Sequence, residues 1–291
     1  MKPAGGKTLP VLVVVAGLLV VWYLAAIVMN SSFARDQAER DGVALSPRAL
    51  VAATWSQERP RLPAPHQVTA EFWKSTAGVP PTSKRSLVYH AWVTLSATLA
   101  GFALGAGLGI LLAIGIVHDR TMDASVMPWV IASQTIPILA VAPMIIVVLN
   151  SVGVTGLLPK AIISMYLSFF PVAVGMVQGF RSPERMLLDQ MRTWNASRWQ
   201  VYLQLRWPAA LPWLFASLKV AVAASLVGAI IGELPTGAVA GLGARMLSGS
   251  YYGQTVQIWA ALMMAAILAA VLVALIGLVE RLTARAMGGR R

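Results

Sequence analysis

Apolar runs long enough to cross a bilayer recur along this chain, and no other feature narrows its fold as much. A helix rises roughly 1.5 Å per residue, so about 20 apolar residues span the hydrocarbon core of a membrane. Six such runs are read at residues 9–29, 86–117, 124–149, 157–178, 212–234 and 256–279. The expected fold class is therefore all-α, a polytopic membrane protein with about six transmembrane helices. Composition agrees: only 12% of the 291 residues are charged and 57% are hydrophobic, whereas a soluble domain carries about a quarter charged residues to solvate its surface.

The formal net charge is +12. In a soluble chain this would suggest nucleic acid as a partner; here many of the basic residues sit at the ends of apolar runs, where they meet anionic lipid and set orientation. Lys2 and Lys7 precede the first run, Arg281, Arg285, Arg290 and Arg291 close the tail, and Arg181, Arg185, Arg192, Arg198 and Arg206 lie between the fourth and fifth runs. With six spans all three groups fall on one side, which the positive-inside rule makes cytoplasmic. Residues 1–8 and 280–291 are then cytoplasmic, and residues 30–85 form a periplasmic segment with short interfacial helices. The first run is read as a retained anchor helix rather than a signal peptide cut near Ala25-Ala26, because it is long enough to span and ends in the interfacial pair Trp22-Tyr23.

Inside the membrane, Gly101, Gly105 and Gly109 recur every four residues and mark a face where another helix can approach closely. Pro128, Pro137 and Pro143 should kink or break the third span. Irregular backbone at that depth is tolerated where protein or a water-filled cavity surrounds it. Gln134, Thr135 and Pro137 beside the break, with Glu233 at the end of the fifth span, are the pathway candidates. Lys219 is read as a lysine that snorkels.

The chemistry-bearing stretch lies between the fourth and fifth spans. It reads Leu188-Asp189-Gln190-Met191-Arg192-Thr193-Trp194-Asn195-Ala196-Ser197-Arg198-Trp199-Gln200, then Leu205-Arg206-Trp207-Pro208-Ala209-Ala210-Leu211-Pro212. It resembles the signature loop of the permease subunits of bacterial binding-protein-dependent ABC importers: a Glu-Ala-Ala, a glycine four residues later, and a Leu-Pro further on. The likeness runs from about Leu62 to the end and is similar to the nitrate, sulfonate, taurine and thiamine-precursor branch. It includes Arg181-Ser182-Pro183-Glu184 and Glu233 followed by Gly241-Leu242-Gly243. Two departures stand out. Asp189-Gln190-Met191 replaces Glu-Ala-Ala, and Asn195 takes the glycine position, where a left-handed backbone at a helix end would suit asparagine next best.

The resemblance implies a type I ABC importer permease fold. It also implies that Asp189, Arg192, Trp194, Asn195, Ala196, Ser197, Arg198, Trp199 and Pro208 form the coupling loop that docks on a cytoplasmic ATPase. The implied partners are two ATP-binding subunits, a periplasmic solute-binding protein and a second permease copy or paralogue, with lipid around them and no nucleic acid. The implied cargo is a small organic or anionic nutrient such as a sulfonate, nitrate or a pyrimidine-type vitamin precursor. No cofactor is expected on this chain. It has no glycine-rich loop to cradle phosphates, so ATP and Mg belong to the ATPase. Its three histidines are too scattered for a metal site, and without cysteine there is no disulfide or thiol chemistry. An intramembrane enzyme would need a convergent catalytic set that is missing here, and an ATP-independent carrier or channel finds no support in repeat symmetry or a charge ring.

Overall fold

The computed structural model describes residues 8–42, 44, 46–235 and 239–288; Lys2, Lys7, Arg290 and Arg291 lie outside them. The chain divides into two units, Met1–Tyr89 with Arg245–Met264, and His90–Ala244 with Ala265–Arg291.

In the first unit, helix α1 (Thr8–Arg40) does not stop where the apolar run ends at Met29. Helix-favouring Ala, Arg, Gln and Glu residues continue it, and no glycine or proline intervenes before Gly42, whose φ is +69°. Two short helices, α2 (Pro47–Trp55) and α3 (Pro65–Thr76), fold back on α1. Each opens on a proline, and α2 is capped by the Ser46 hydroxyl, which accepts from the Ala49 N–H at 3.3 Å. The polar segment expected to carry short helices does carry two, and Asn30 ties it down. Fully buried, its amide donates to the carbonyls of Thr54 (3.2 Å) and Leu62 (2.8 Å) and accepts from the Leu62 N–H (3.1 Å). The proline-rich link is held further by Trp22, which donates to the Pro63 carbonyl at 3.0 Å, and by the Thr255 hydroxyl, which donates to that of Pro60 at 2.5 Å.

The second unit is built around α7 (Leu157–Arg181) and α10 (Trp207–Gly232), packed antiparallel, with α4 (Leu87–His118) against α7. Apolar attraction between helices is lost in lipid, so close approach of small residues has to hold them together. Gly101, Gly105 and Gly109 are buried against α7. A Cβ at Gly101 would collide with that of Ser164, one at Gly105 with the Ser168 hydroxyl, and one at Gly109 would lie 2.7 Å from the Phe169 carbonyl oxygen. On the other side of α7, Gly175 faces Ser217 and Gly179 faces Ala210. Hydroxyls stitch the same seam: Ser164 donates to the Ser225 carbonyl, and Ser225 donates to that of Thr98 at 2.8 Å.

Among the described residues, five helices are long and apolar enough to cross a membrane, and six if the broken pair α5 (Arg120–Ser133) and α6 (Ile138–Ser151) is one span. That pair bends by 99°, and the break falls at Pro137. Pro128 and Pro143 are absorbed inside the two helices. At 137 the ring also drives the residue before it out of the helical region.

Other helices also differ from expectation. The fifth span does not begin at Pro212: short helix α9 (Arg198–Val201) passes through a π-helical turn, Tyr202–Arg206, directly into α10. The Trp207 N–H reaches the Tyr202 carbonyl five residues back, and this wider turn takes up Pro208 in the first turn of α10. The glycine-rich stretch after α10 carries helix α11 (Leu242–Tyr251), and α12 (Thr255–Ala286) runs on into the arginine-bearing tail. Lys219 of α10 does not simply snorkel: it pairs with Glu280 of α12 at 2.5 Å.

Candidate functional site

The second unit has two polar ends. At the first, helix α8 (Arg185–Thr193) leads into α9 through four residues. The stop signal is a left-handed residue: Asn195, at φ +52°, is the only non-glycine with positive φ among the described residues. Its N–H donates to the Arg192 carbonyl at 2.9 Å, and the Ala196 N–H donates to that of Met191 at 3.0 Å, closing the last turn of α8. The start signal follows at once. The Ser197 hydroxyl accepts from the Gln200 N–H (3.3 Å) while the Gln200 amide oxygen accepts from the Ser197 N–H (2.8 Å). A helix–turn–helix corner is thus written into Asn195-Ala196-Ser197 and Gln200, and it projects side chains outward.

Trp194 and Trp199 are 67% and 61% exposed. Arg198 makes no ion pair among the described residues, and Arg192 pairs only with its own helix neighbour Asp189, at 3.0 Å between two exposed side chains. Beneath them the corner is anchored by aromatics. Trp199 stacks on the buried Tyr202 at 5.6 Å between ring centroids, and Tyr202 meets Phe180 of α7 at 5.1 Å. Pro208 is exposed beside this anchor. The corner is rigid at its base and unpartnered at its tip.

The other end is closed on itself. Glu233, one of the pathway candidates, has no exposed surface. The Thr94 hydroxyl of α4 donates to its carboxylate (2.9 and 3.0 Å to the two oxygens), and the Gly243 N–H donates at 2.9 Å. Lys160 of α7 stands 3.7 Å away and donates to the Ala240 carbonyl at 3.0 Å. Thr94 also accepts from the Leu242 N–H at 2.8 Å, and His90 Nδ1 accepts from that of Gly241 at 3.0 Å. The Gly241-Leu242-Gly243 run belongs to this cluster. Gly241 has φ +128°, and a Cβ there would strike the Glu233 carboxylate. A carboxyl group out of water is costly unless paired and hydrogen-bonded, and this one is both. Glu233 therefore clasps the segment after α10 to α4 and α7 and lines no open surface. Gln134, Thr135 and Pro137, by contrast, are exposed at the α5–α6 break. The glycines Gly101, Gly105 and Gly109 lie apart from both ends, in the helix seam.

Residues 105–288, which hold the exposed corner, the broken pair, and Lys160, Glu233 and Gly241-Leu242-Gly243 of the clasp, match the model of the family described as binding-protein-dependent transport system inner membrane component. The chain belongs to this family. It is a multi-pass inner membrane permease subunit of an ABC importer. It is 34% identical over 224 residues to the riboflavin transport system permease protein RibX of Chloroflexus aurantiacus, covering 77% of this chain and 80% of that one. It is 32% identical over 154 residues to the formylaminopyrimidine transport permease protein ThiX of Halalkalibacterium halodurans, covering 53% and 60%. Among solved structures it is similar to the MetNI methionine ABC transporter in inward-facing conformations, with a TM-score of 0.56 and 20% identity over 70% of this chain and 96% of that one. That likeness carries the fold, the type I ABC importer permease fold.

Within this permease, sequence reasoning missed three side chains of the Glu233 clasp. Lys160 had a readable signal, a lone cation in an apolar span. Thr94 and His90 had none, because a single hydroxyl or ring in a helix says nothing about what it faces 139 or more residues away.

Proposed function

We propose that this permease couples ATP hydrolysis on separate subunits to import of a small nutrient, through the 187–200 loop. The observation that carries the proposal is the α8–α9 corner: an aromatic base, with Trp199 stacked on Tyr202, that leaves Trp194 and Trp199 mostly exposed and Arg198 without an ion pair among the described residues. Buried aromatic anchors and arginines dominate protein interfaces, and this tip exposes them in advance. Two cytoplasmic ATPases, which bind ATP and Mg, grip Asp189, Arg192, Trp194, Asn195, Ala196, Ser197, Arg198, Trp199 and Pro208. Their closure rocks the spans of this chain and of a second copy or paralogue between two states. The N- and C-termini are cytoplasmic. A periplasmic binding protein delivers solute at the opposite face, and the α5–α6 break with Gln134, Thr135 and Pro137 contributes to the pathway wall.

The cargo is a small organic or anionic nutrient: a sulfonate, nitrate or a pyrimidine-type vitamin precursor. The names of the relatives support its heterocyclic members, since riboflavin and formylaminopyrimidine are both nitrogen heterocycles. Replacing Arg198 and Trp199 together by alanine should leave membrane insertion intact. It should weaken ATPase co-purification and solute uptake by more than about tenfold, since truncated interface anchors cost upward of roughly 1–2 kcal/mol each. Unchanged uptake in that variant overturns the coupling role. Titration of the cognate binding protein with candidate solutes tests the cargo.

A further inference from the structure

Beside the coupling corner, and sharing Arg192 and Arg198 with it, the second unit holds an open cleft of about 610 Å³. It lies where α4 ends and where α10 is about to begin. Arg120, Arg192, Arg198 and Arg206 line it, against one carboxylate, Asp119. Asp119 is engaged at the start of α5, where it accepts from the Thr121 N–H at 2.9 Å. Arg120, like Arg198, makes no ion pair among the described residues, and Arg206 reaches only the Phe180 carbonyl, at 3.4 Å. The remaining polar groups are His118 and Tyr202; Tyr202 is 3% exposed and its hydroxyl has no hydrogen-bond partner among the described residues. Buried polar groups are paired as a rule, and an exception beside converging guanidinium groups needs a physical reason.

We propose that this cleft holds the phosphodiester headgroup of an anionic phospholipid. Guanidinium groups bind phosphate oxygens through paired, charge-assisted hydrogen bonds, and the volume lies in the range of small-ligand sites. What favours lipid over a protein carboxylate is the level of the cleft. Tyr202, in the cleft wall, belongs to a run of rings with Trp199, Phe180 and Trp207, 5.1 to 5.9 Å apart from centroid to centroid, of which Trp199 is mostly exposed. Such rings gather where hydrocarbon gives way to headgroups. The cleft also sits where two apolar helices, α4 and α10, meet their polar flanks. A headgroup seated there touches the base of the α8–α9 corner and would set how firmly that corner is held. The inference does not depend on the transport reading.

The test uses the full chain purified in detergent and read by native mass spectrometry. Retention of phosphatidylglycerol is compared with that of phosphatidylcholine, at equal chain length and added concentration. The wild-type chain is expected to retain phosphatidylglycerol preferentially. Arg120→Gln with Arg206→Gln should weaken that preference by roughly twentyfold, about fivefold for each arginine lost. Tyr202→Phe should weaken it by a few-fold while leaving thermal stability unchanged or higher, since it removes a hydroxyl with no internal partner. Arg281→Gln with Arg285→Gln, which removes the same charge from the tail, should leave the preference in place. The proposal is overturned if the cleft variant keeps its preference or if the tail variant loses as much. It is overturned equally if millimolar glycerol phosphate displaces the lipid, which would make the site one for a soluble anion. Loss of ATPase binding with unaltered lipid retention assigns the cleft to the protein partner instead and likewise defeats it.

Discussion

The two ends of the α7–α10 pair, roughly 35 Å apart along the helix axis, solve opposite problems with the same kinds of residue. At the Lys160 end every charge is spent inward. Glu233 is fully buried and its carboxylate is held by Thr94, Gly243 and Lys160. At the Phe180 end the charges and rings face out, with Trp194 and Trp199 mostly exposed and Arg198 unpaired among the described residues. Leaving an arginine unpaired in water costs little, whereas a buried carboxylate without partners costs several kcal/mol. A closed network therefore marks where the molecule holds itself. An open set of arginines and tryptophans on a rigid base marks where it holds something else.

Breaking the closed end should have the largest effect. Glu233→Ala leaves Lys160 without its counter-charge and the Gly243 N–H without an acceptor, at an expected cost of about 3–5 kcal/mol. Thermal unfolding in detergent should register it, with Glu233→Gln falling in between because the amide keeps one acceptor oxygen. If Glu233→Ala unfolds like the wild type, the clasp is not what holds this end.

A smaller effect is expected at the open end, where only backbone geometry is at stake. Asn195→Gly should be neutral or gain up to about 1 kcal/mol, because the left-handed backbone at φ +52° suits glycine. Asn195→Val should lose about 1–2 kcal/mol for the same reason. Equal stability of the two variants would mean that the corner is not built on that residue's φ. Least of all should come from Asp189→Asn. The Asp189–Arg192 pair is 65% and 81% exposed, so its loss should change stability by less than about 0.5 kcal/mol. A larger change in a double-mutant cycle with Arg192→Gln would show that this end is more closed than its exposure implies.

Much of this was legible in the residues. The apolar runs marked the spans, and the proline cluster marked the broken one, although only Pro137 sits at the 99° bend. The need for a left-handed residue was legible at Asn195. What stayed hidden has a common cause. Asn30 lay near the end of an apolar run and gave no sign that it would hold residues 54 to 62, and Glu233 lay at the end of another and read as a pathway residue. Both are polar groups whose role is set by partners distant in sequence, and no local pattern encodes such partners. Helix bounds failed for a related reason. The fifth span reads as beginning at Pro212, yet a π-helical turn leads straight into α10 at Trp207, and both Pro208 and Pro212 lie within that helix.

The sequence by itself determined that this chain spans a membrane as helices, because backbone hydrogen bonding in lipid leaves apolar runs of that length little choice. It also determined where the polar corner between α7 and α10 turns, since a left-handed asparagine and a serine–glutamine cap act over a few neighbouring residues. Only the tertiary structure decided which polar groups are spent internally and which are left for partners. That division depends on burial, and whether Glu233 or Arg198 meets protein, lipid or water is settled only when helices remote in sequence come together.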